Sequence, residues 1–326
     1  MSTHLRVAKA VFLLFASLLL CAAASAQQWP VKTVRIIVPF PPGQAADIIA
    51  RVIAERLTPA LGQQVIVDNR PGAGSVTGTE LAARAAPDGY TYLLGGNSAL
   101  TISPSLYSKL RYDTLRDFAP VTNLVSIAFV FCVNPAVPAQ TIPQLVTLAK
   151  TRPGELNFGS SGNGATNHLA TELFASMAGI KLTHVPYKGA VASLTDLMTG
   201  QIALVAETTP AVLQYVRAGR LRPLGVSTIK RIPFLPDLPT LDEQGIKGFD
   251  VMAWGGLVAP TGTPAPILDR LNAEVVKALD TPETQKRLQD LGIVPVGDSR
   301  EHFGALIKSE LARWAAVVKM TGAKVE

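Results

Sequence analysis

Residues Val38 to Arg51 read VPFPPGQAADIIAR. An apolar run, TVRIIVPF, ends in two prolines and a glycine, and Ile48, Ile49, Val52, Ile53 and Leu57 then share one helical face. A strand that turns straight into a helix is the repeating unit of a parallel α/β sheet. Pro41 and Pro42 fix φ and remove two N–H donors, and Gly43 permits positive φ or close backbone approach. Such a stiff turn at a helix N-terminus, poor in side chains, presents backbone amides to a small anion. An ordinary tight turn could use the same residues. Asp47 either complements the positive helix end or pairs with a ligand ammonium.

The pattern repeats outward from this stretch. QQVIVDN, YTYLLGG, IAFVFCV, KLTHVPY, QIALVAE, LRPLGVST and AWGGLVA read as strands. Helical stretches follow around Ile142–Lys150, Leu169–Ala178, Ala190–Thr199 and Pro210–Ala218, and the chain is mainly helical beyond Ala259. Buried strands alternating with amphipathic helices predict an α/β fold in which each lobe is a mostly parallel sheet flanked by helices. No linker separates two domains, so the chain is expected to cross between lobes through strands, near Thr122–Phe129 and again near Phe249–Leu257. Lobe 1 would then comprise residues 27–125 plus 253–326, and lobe 2 residues 126–252.

Arg6 and Lys9 precede the apolar run AVFLLFASLLLCAAA, and Ala24-Ser25-Ala26 follows. This is the pattern of a secretory signal peptide spanning residues 1–26, cut after Ala26. Losing Arg6 and Lys9 lowers the formal charge of +6 to +4. Without a basic run or basic-aromatic cluster, nucleic acid is not an expected partner. The exported chain would keep one cysteine, Cys132, in an apolar strand, so an internal disulfide is impossible and a buried small hydrophobe is expected. The four histidines show no metal-ligand spacing. No metal or cofactor is expected.

A second anion-binding loop lies in NFGSSGNGATNHLATELF, where Ser160, Ser161 and Asn163 alternate with glycines before a helix that opens near Thr166. Two such loops, one per lobe, would clamp an anion from both sides. The same residues raise a hydrolase reading, with Ser161, His168 or His184, and Asp196 as its parts. The nucleophile elbow requires glycine two residues after the serine, and Asn163 stands there. A third turn places Tyr187, Lys188 and Gly189 before a helix beginning at Ala190. Glu207 ends the strand QIALVAE at the same sheet edge, and Asn97 and Ser98 follow YTYLLGG there.

The segments PFPPGQAADIIAR, VDNRPGAGS, PDGYTYLLGG, DFAPVT, FGSSGNGATNHLA, HVPYKG, TDLMTGQ, RAGRLRPLGVST, LPDLPTLDEQG and APTGTPAPI occur in this order. Together they closely resemble the tripartite tricarboxylate transporter substrate-binding receptors, the Bug family of periplasmic solute receptors. The resemblance implies a two-lobed, periplasmic, monomeric binding protein that captures a small carboxylate in a cleft between lobes. It would serve the membrane subunits of a transporter or a sensor kinase. It also implies ligand contacts from Phe40, Pro42, Gly43, Gln44, Ala45 and Asp47 in the first loop. From the second loop it implies Ser160, Ser161, Asn163, Ala165, Thr166, Asn167 and His168. Three positions depart from the family pattern. Gln44 replaces a usual glycine, Glu207 a usual aspartate, and Gly255 after Trp254 a usual aromatic, expected to open the pocket.

Overall fold

The computed structural model describes residues 29–323; the signal-peptide expectation lies outside them. The first half of the chain builds β1 (Val34–Val38), α1 (Ala45–Leu61), β2 (Val65–Asn69), α2 (Val76–Ala83), β3 (Thr91–Gly96) and β4 (Phe118–Val133). Then come α3 (Ile142–Thr151), β5 (Asn157–Ser160), α4 (Thr166–Ala178), β6 (Thr183–Pro186), α5 (Ala190–Thr199), β7 (Leu204–Thr208), α6 (Thr209–Arg217) and β8 (Arg222–Val226). The C-terminal part adds β9 (Met252–Pro260), α7 (Ala265–Leu279), α8 (Pro282–Asp290), β10 (Val294–Pro295) and α9 (Arg300–Thr321).

The main strand order is β2-β1-β3-β9-β4-β7-β5-β6, with β8 and β10 also paired to β4. The outer strands are parallel, as the alternation of strands and helices predicts: β1 with β2 and β3, and β5 with β6 and β7. The strands in the middle are antiparallel, β9 with both β3 and β4, and β4 with β7 and β8. The mostly parallel expectation therefore holds at the flanks and not at the centre. β4 carries the chain from the first half into the second and β9 carries it back alongside, so the two run in opposite directions.

β4 pairs with β9 as far as Ala128, opposite Met252, and with β7 from Phe129, opposite Thr208. Its whole length is buried on both faces or nearly so. In the first half, α1 lays Ile49, Val52, Ile53 and Leu57 against β1 and β2, with Leu268, Leu271 and Val275 of α7 beside them. In the second half, Phe131 meets Phe174 edge to face at 5.1 Å and Phe249 at 5.8 Å. Each fully buried side chain of this kind contributes about 1.5–3 kcal/mol. α9 joins both cores: Phe303 and Ile307 pack in the first half, and Trp314 and Val317 in the second.

Gly255 does not open a pocket. A Cβ added there would meet Leu94 and Val125, both core residues, at 3.6 Å.

Candidate functional site

Parallel strands place their following loops at one edge of the sheet, where ligands of open α/β folds bind. Here those loops are Phe40–Gln44 after β1, Asn97 onward after β3, Ser161–Ala165 after β5, and Tyr187–Gly189 after β6. Helices start at Ala45, Thr166 and Ala190, and a π-helix spans Asn97–Ile102. Two contacts bring the halves together. Ser98 Oγ lies 3.4 Å from Thr166 Oγ1. Gln44 Nε2 lies 3.5 Å from where a Cβ on Gly189 would stand. Several helix N-termini thus face one cleft, each with amide donors that lack helical acceptors and with a partial positive charge.

The first loop is held from behind. Gly43, at φ 82°, donates its N–H to Asp47 Oδ2 at 2.9 Å. Arg51 Nε reaches both carboxylate oxygens at 3.0 Å, and Asn69 Nδ2 donates to Oδ1 at 3.0 Å and to the Phe40 carbonyl at 3.1 Å. Burial pushes the Asp47 pKa up, but Arg51, Gly43 and Asn69 outweigh it and hold the group below its ordinary value. Asp47 is buried, and both of its oxygens accept from these groups. It fixes the turn, and the Gly43 amide is spent on that bond. The first intrahelical bond, Ile48 N–H to Gln44 O, leaves the amides of Ala45 to Asp47 for an anion. Pro42 and Gln44 are exposed at the loop surface, and Phe40 packs partly into the core.

The second loop has its own interior support. Ser160 is fully buried, with Oγ 2.6 Å from His184 Nε2 and accepting from the Gly162 N–H at 3.1 Å. His168 stacks on His184 at 3.9 Å between ring centroids and accepts from the Gly164 N–H through Nδ1 at 3.2 Å. Burial lowers both imidazoles to about 4. Asn167 is buried too; its Oδ1 accepts from the Ser161 and His168 N–H groups at 3.3 and 3.0 Å. Its Nδ2 donates to Glu207 Oε1 at 2.6 Å. Ser160, Asn167 and His168 therefore shape the loop with their side chains instead of reaching the cleft. Ser161, Ala165 and Thr166 stay partly accessible there, and Asn163 is exposed.

Glu207 is 2% exposed and accepts from Ser161 Oγ at 3.0 Å and from the Thr208 N–H at 3.3 Å. Burial pushes it up to about 7 against the pull of these bonds. It faces the loop and not the cleft. Tyr187 donates its hydroxyl to Asp196 at 2.7 Å, whereas Lys188 is exposed beside it. Asn97 also turns inward, donating to Glu310 Oε2 at 3.0 Å and to the Met252 carbonyl at 3.3 Å, and accepting from the Trp254 N–H at 2.9 Å. Glu310 in turn accepts from Trp314 Nε1 at 2.8 Å, and Arg313 bonds the Asp250 carbonyl. These bonds tie the end of β3 and the segment entering β9 to α9. The brace was not legible in the sequence, since nothing marks Glu310 or the π-helix as partners of Asn97. The hydrolase parts do not assemble: Ser161 Oγ meets Glu207, His184 meets Ser160, and Asp196 meets Tyr187. Cys132 is buried and free, as expected. Among the described residues, no helix is long and apolar enough to cross a membrane.

A mixed α/β sheet with flanking helices and an anion-suited cleft between its halves is the form of a two-lobed periplasmic binding protein. The chain belongs to the tripartite tricarboxylate transporter receptor family, whose pattern matches residues 49–323. It is 37% identical over 308 residues to Protein BugT of Bordetella pertussis, covering 94% of each chain. It superposes on the structure of R. palustris Rpa4515 with adipate at a TM-score of 0.85, with 36% identity, covering 91% of this chain and 100% of that one. MatC from Rhodopseudomonas palustris with bound malate gives a TM-score of 0.80 and 32% identity, covering 89% and 100%. The structure of periplasmic binding protein BugD gives a TM-score of 0.81 and 34% identity, covering 91% of this chain and 100% of that one.

Proposed function

We propose that this protein captures a small organic acid between the amides at the head of α1 and those at the head of α4, for delivery to the membrane subunits of a tripartite tricarboxylate-type transporter. The observation that carries this reading is that each helix head meets the other half of the sheet at the cleft: Gln44, before α1, lies near Gly189, and Thr166, opening α4, lies near Ser98. Aligned backbone donors in a stiff loop bind a carboxylate at little ordering cost. Relatives crystallised with adipate and malate support the acid class.

Ligand capture closes residues 126–252 against residues 27–125 and 253–326 by a hinge where β4 and β9 pass between the halves. The exported protein works as a monomer after loss of residues 1–26. A thermal-shift screen of the exported protein against small carboxylates, amino acids and aromatic acids tests the reading. An acid at a hundredfold excess over its dissociation constant adds about 2.7 kcal/mol to native stability. A panel in which carboxylates leave the melting temperature unchanged, with no acid carried through purification, contradicts it.

A further inference from the structure

Glu207 is a buried acid, and its hydrogen bonds decide what Ser161 offers to the cleft. Two backbone donors, from Ser161 and His168, fix the Asn167 amide so that its oxygen faces them. Its NH2 must then face Glu207 Oε1, at 2.6 Å, and Ser161 Oγ, at 3.3 Å. A serine hydroxyl has one proton and two lone pairs. With Asn167 donating to it, Ser161 Oγ gives its proton to Glu207 Oε1 at 3.0 Å. One lone pair remains, on a residue that stays partly accessible at the loop. In this state Ser161 cannot donate to a carboxylate; it can only accept.

We propose that Glu207 fixes Ser161 as a hydrogen-bond acceptor, and so selects organic acids bearing a hydroxyl or ammonium donor beside the carboxylate docked on this loop. The inference rests on the acid-receptor reading above and narrows its ligand class. An unpaired donor or acceptor at a desolvated contact is what makes such sites discriminate strongly. An acid without the donor leaves the Ser161 lone pair unmatched.

The arrangement also reverses with protonation. Of the groups bonded to Glu207, Asn167 Nδ2 and the Thr208 N–H are donors only, so Ser161 Oγ is the one acceptor for a proton on the acid. Protonated Glu207 therefore donates to Ser161, whose own proton turns to the cleft and favours a plain carboxylate. Other titratable groups on elements packed against β7 are Cys132 on β4, His168 and Glu172 on α4, Asp196 on α5, and Tyr215 and Arg217 on α6. Among the described residues, none of these is hydrogen-bonded to Glu207. Burial keeps Cys132 a thiol and His168 neutral through the neutral range.

The test is calorimetric titration of the exported protein with three matched pairs: succinate and malate, glutarate and 2-hydroxyglutarate, adipate and 2-hydroxyadipate. At pH 8 the hydroxylated member of the pair that binds is expected to bind at least tenfold more tightly, and the ratio is expected to fall several-fold at pH 6. Ser161→Ala should bring the ratio close to one at both pH values. Glu207→Gln, whose oxygen stays on Asn167, should keep the preference and remove its pH dependence. Tight binding with a ratio indifferent to Ser161→Ala and to pH overturns this inference alone. Absence of binding by all six acids overturns the receptor reading for such acids, and this inference with it.

Discussion

Replacing Asp47 by asparagine separates two roles for this carboxylate. It accepts from Gly43, Arg51 and Asn69 at 2.9–3.0 Å and is buried. Asparagine keeps one acceptor and turns an NH2 toward a group that also donates. A hydrogen bond to a charged group contributes about 1.5–3 kcal/mol, and an unmatched buried donor costs about 1–3 kcal/mol. The Arg51 side chain is 54% exposed, so water replaces much of its share. The net loss expected is about 2–3 kcal/mol, or roughly 3–5 °C in melting temperature for a chain of this size. Because the first loop loses its anchor, malate, adipate and aspartate should all weaken by similar factors. Thermal melts and titrations of these three acids give both readouts. An unchanged melting temperature with selective loss of aspartate would refute the reasoning and place Asp47 against a ligand ammonium.

Three further outcomes follow from the same geometry. Gly43→Ala should cost about 1–2 kcal/mol through its φ of 82° alone, since no atom lies within 4 Å of the added Cβ; a melt showing no loss contradicts this backbone account. Gly256→Ala should destabilise severely, by several kcal/mol, because the new Cβ would press on the Phe303 ring and stand 2.6 Å from the Thr122 carbonyl; near-native denaturant stability would mean that α9 shifts freely. His168 and His184 stay neutral to about 4, while the unfolded chain takes up protons from 6.5 downward, so stability should fall as pH drops through that window. Each imidazole contributes on the order of 2–3 kcal/mol at full effect. Glu207 has the opposite sign: it holds its proton to about 7, against 4.5 unfolded, so stability falls as pH rises between those values. Denaturant midpoints should therefore peak between about pH 6 and 7, and a flat profile from pH 7 to 4 contradicts the buried histidine pair.

The alternation of strands and helices was legible because each period is local, and the loops at Pro41–Gln44 and Ser160–Ala165 announced themselves through proline, glycine and serine before apolar helical faces. What lies one layer deeper was not. Asp47, Ser160, Asn167, His168 and Glu207 carry the polarity expected of ligand contacts, yet their partners are Arg51, Asn69, His184 and one another. A sequence gives the chemistry of a polar residue without the direction it faces. Arg51, four residues after Asp47, was the one partner that helical spacing could have offered. Asn97 and Glu310, 213 positions apart, meet only because α9 folds back over both cores. The antiparallel direction of the central strands was not legible, because a strand buried on both faces shows no period that reports its direction.

The central claim is that an acid is held from both halves of the molecule at once. A crystal structure of the protein with whichever acid raises its melting temperature most tests this directly. The account predicts carboxylate oxygens within hydrogen-bond distance of the amides at Ala45–Asp47 on one side and at Thr166–Asn167 on the other. An acid bound away from these helix ends, or held by one half alone, contradicts it.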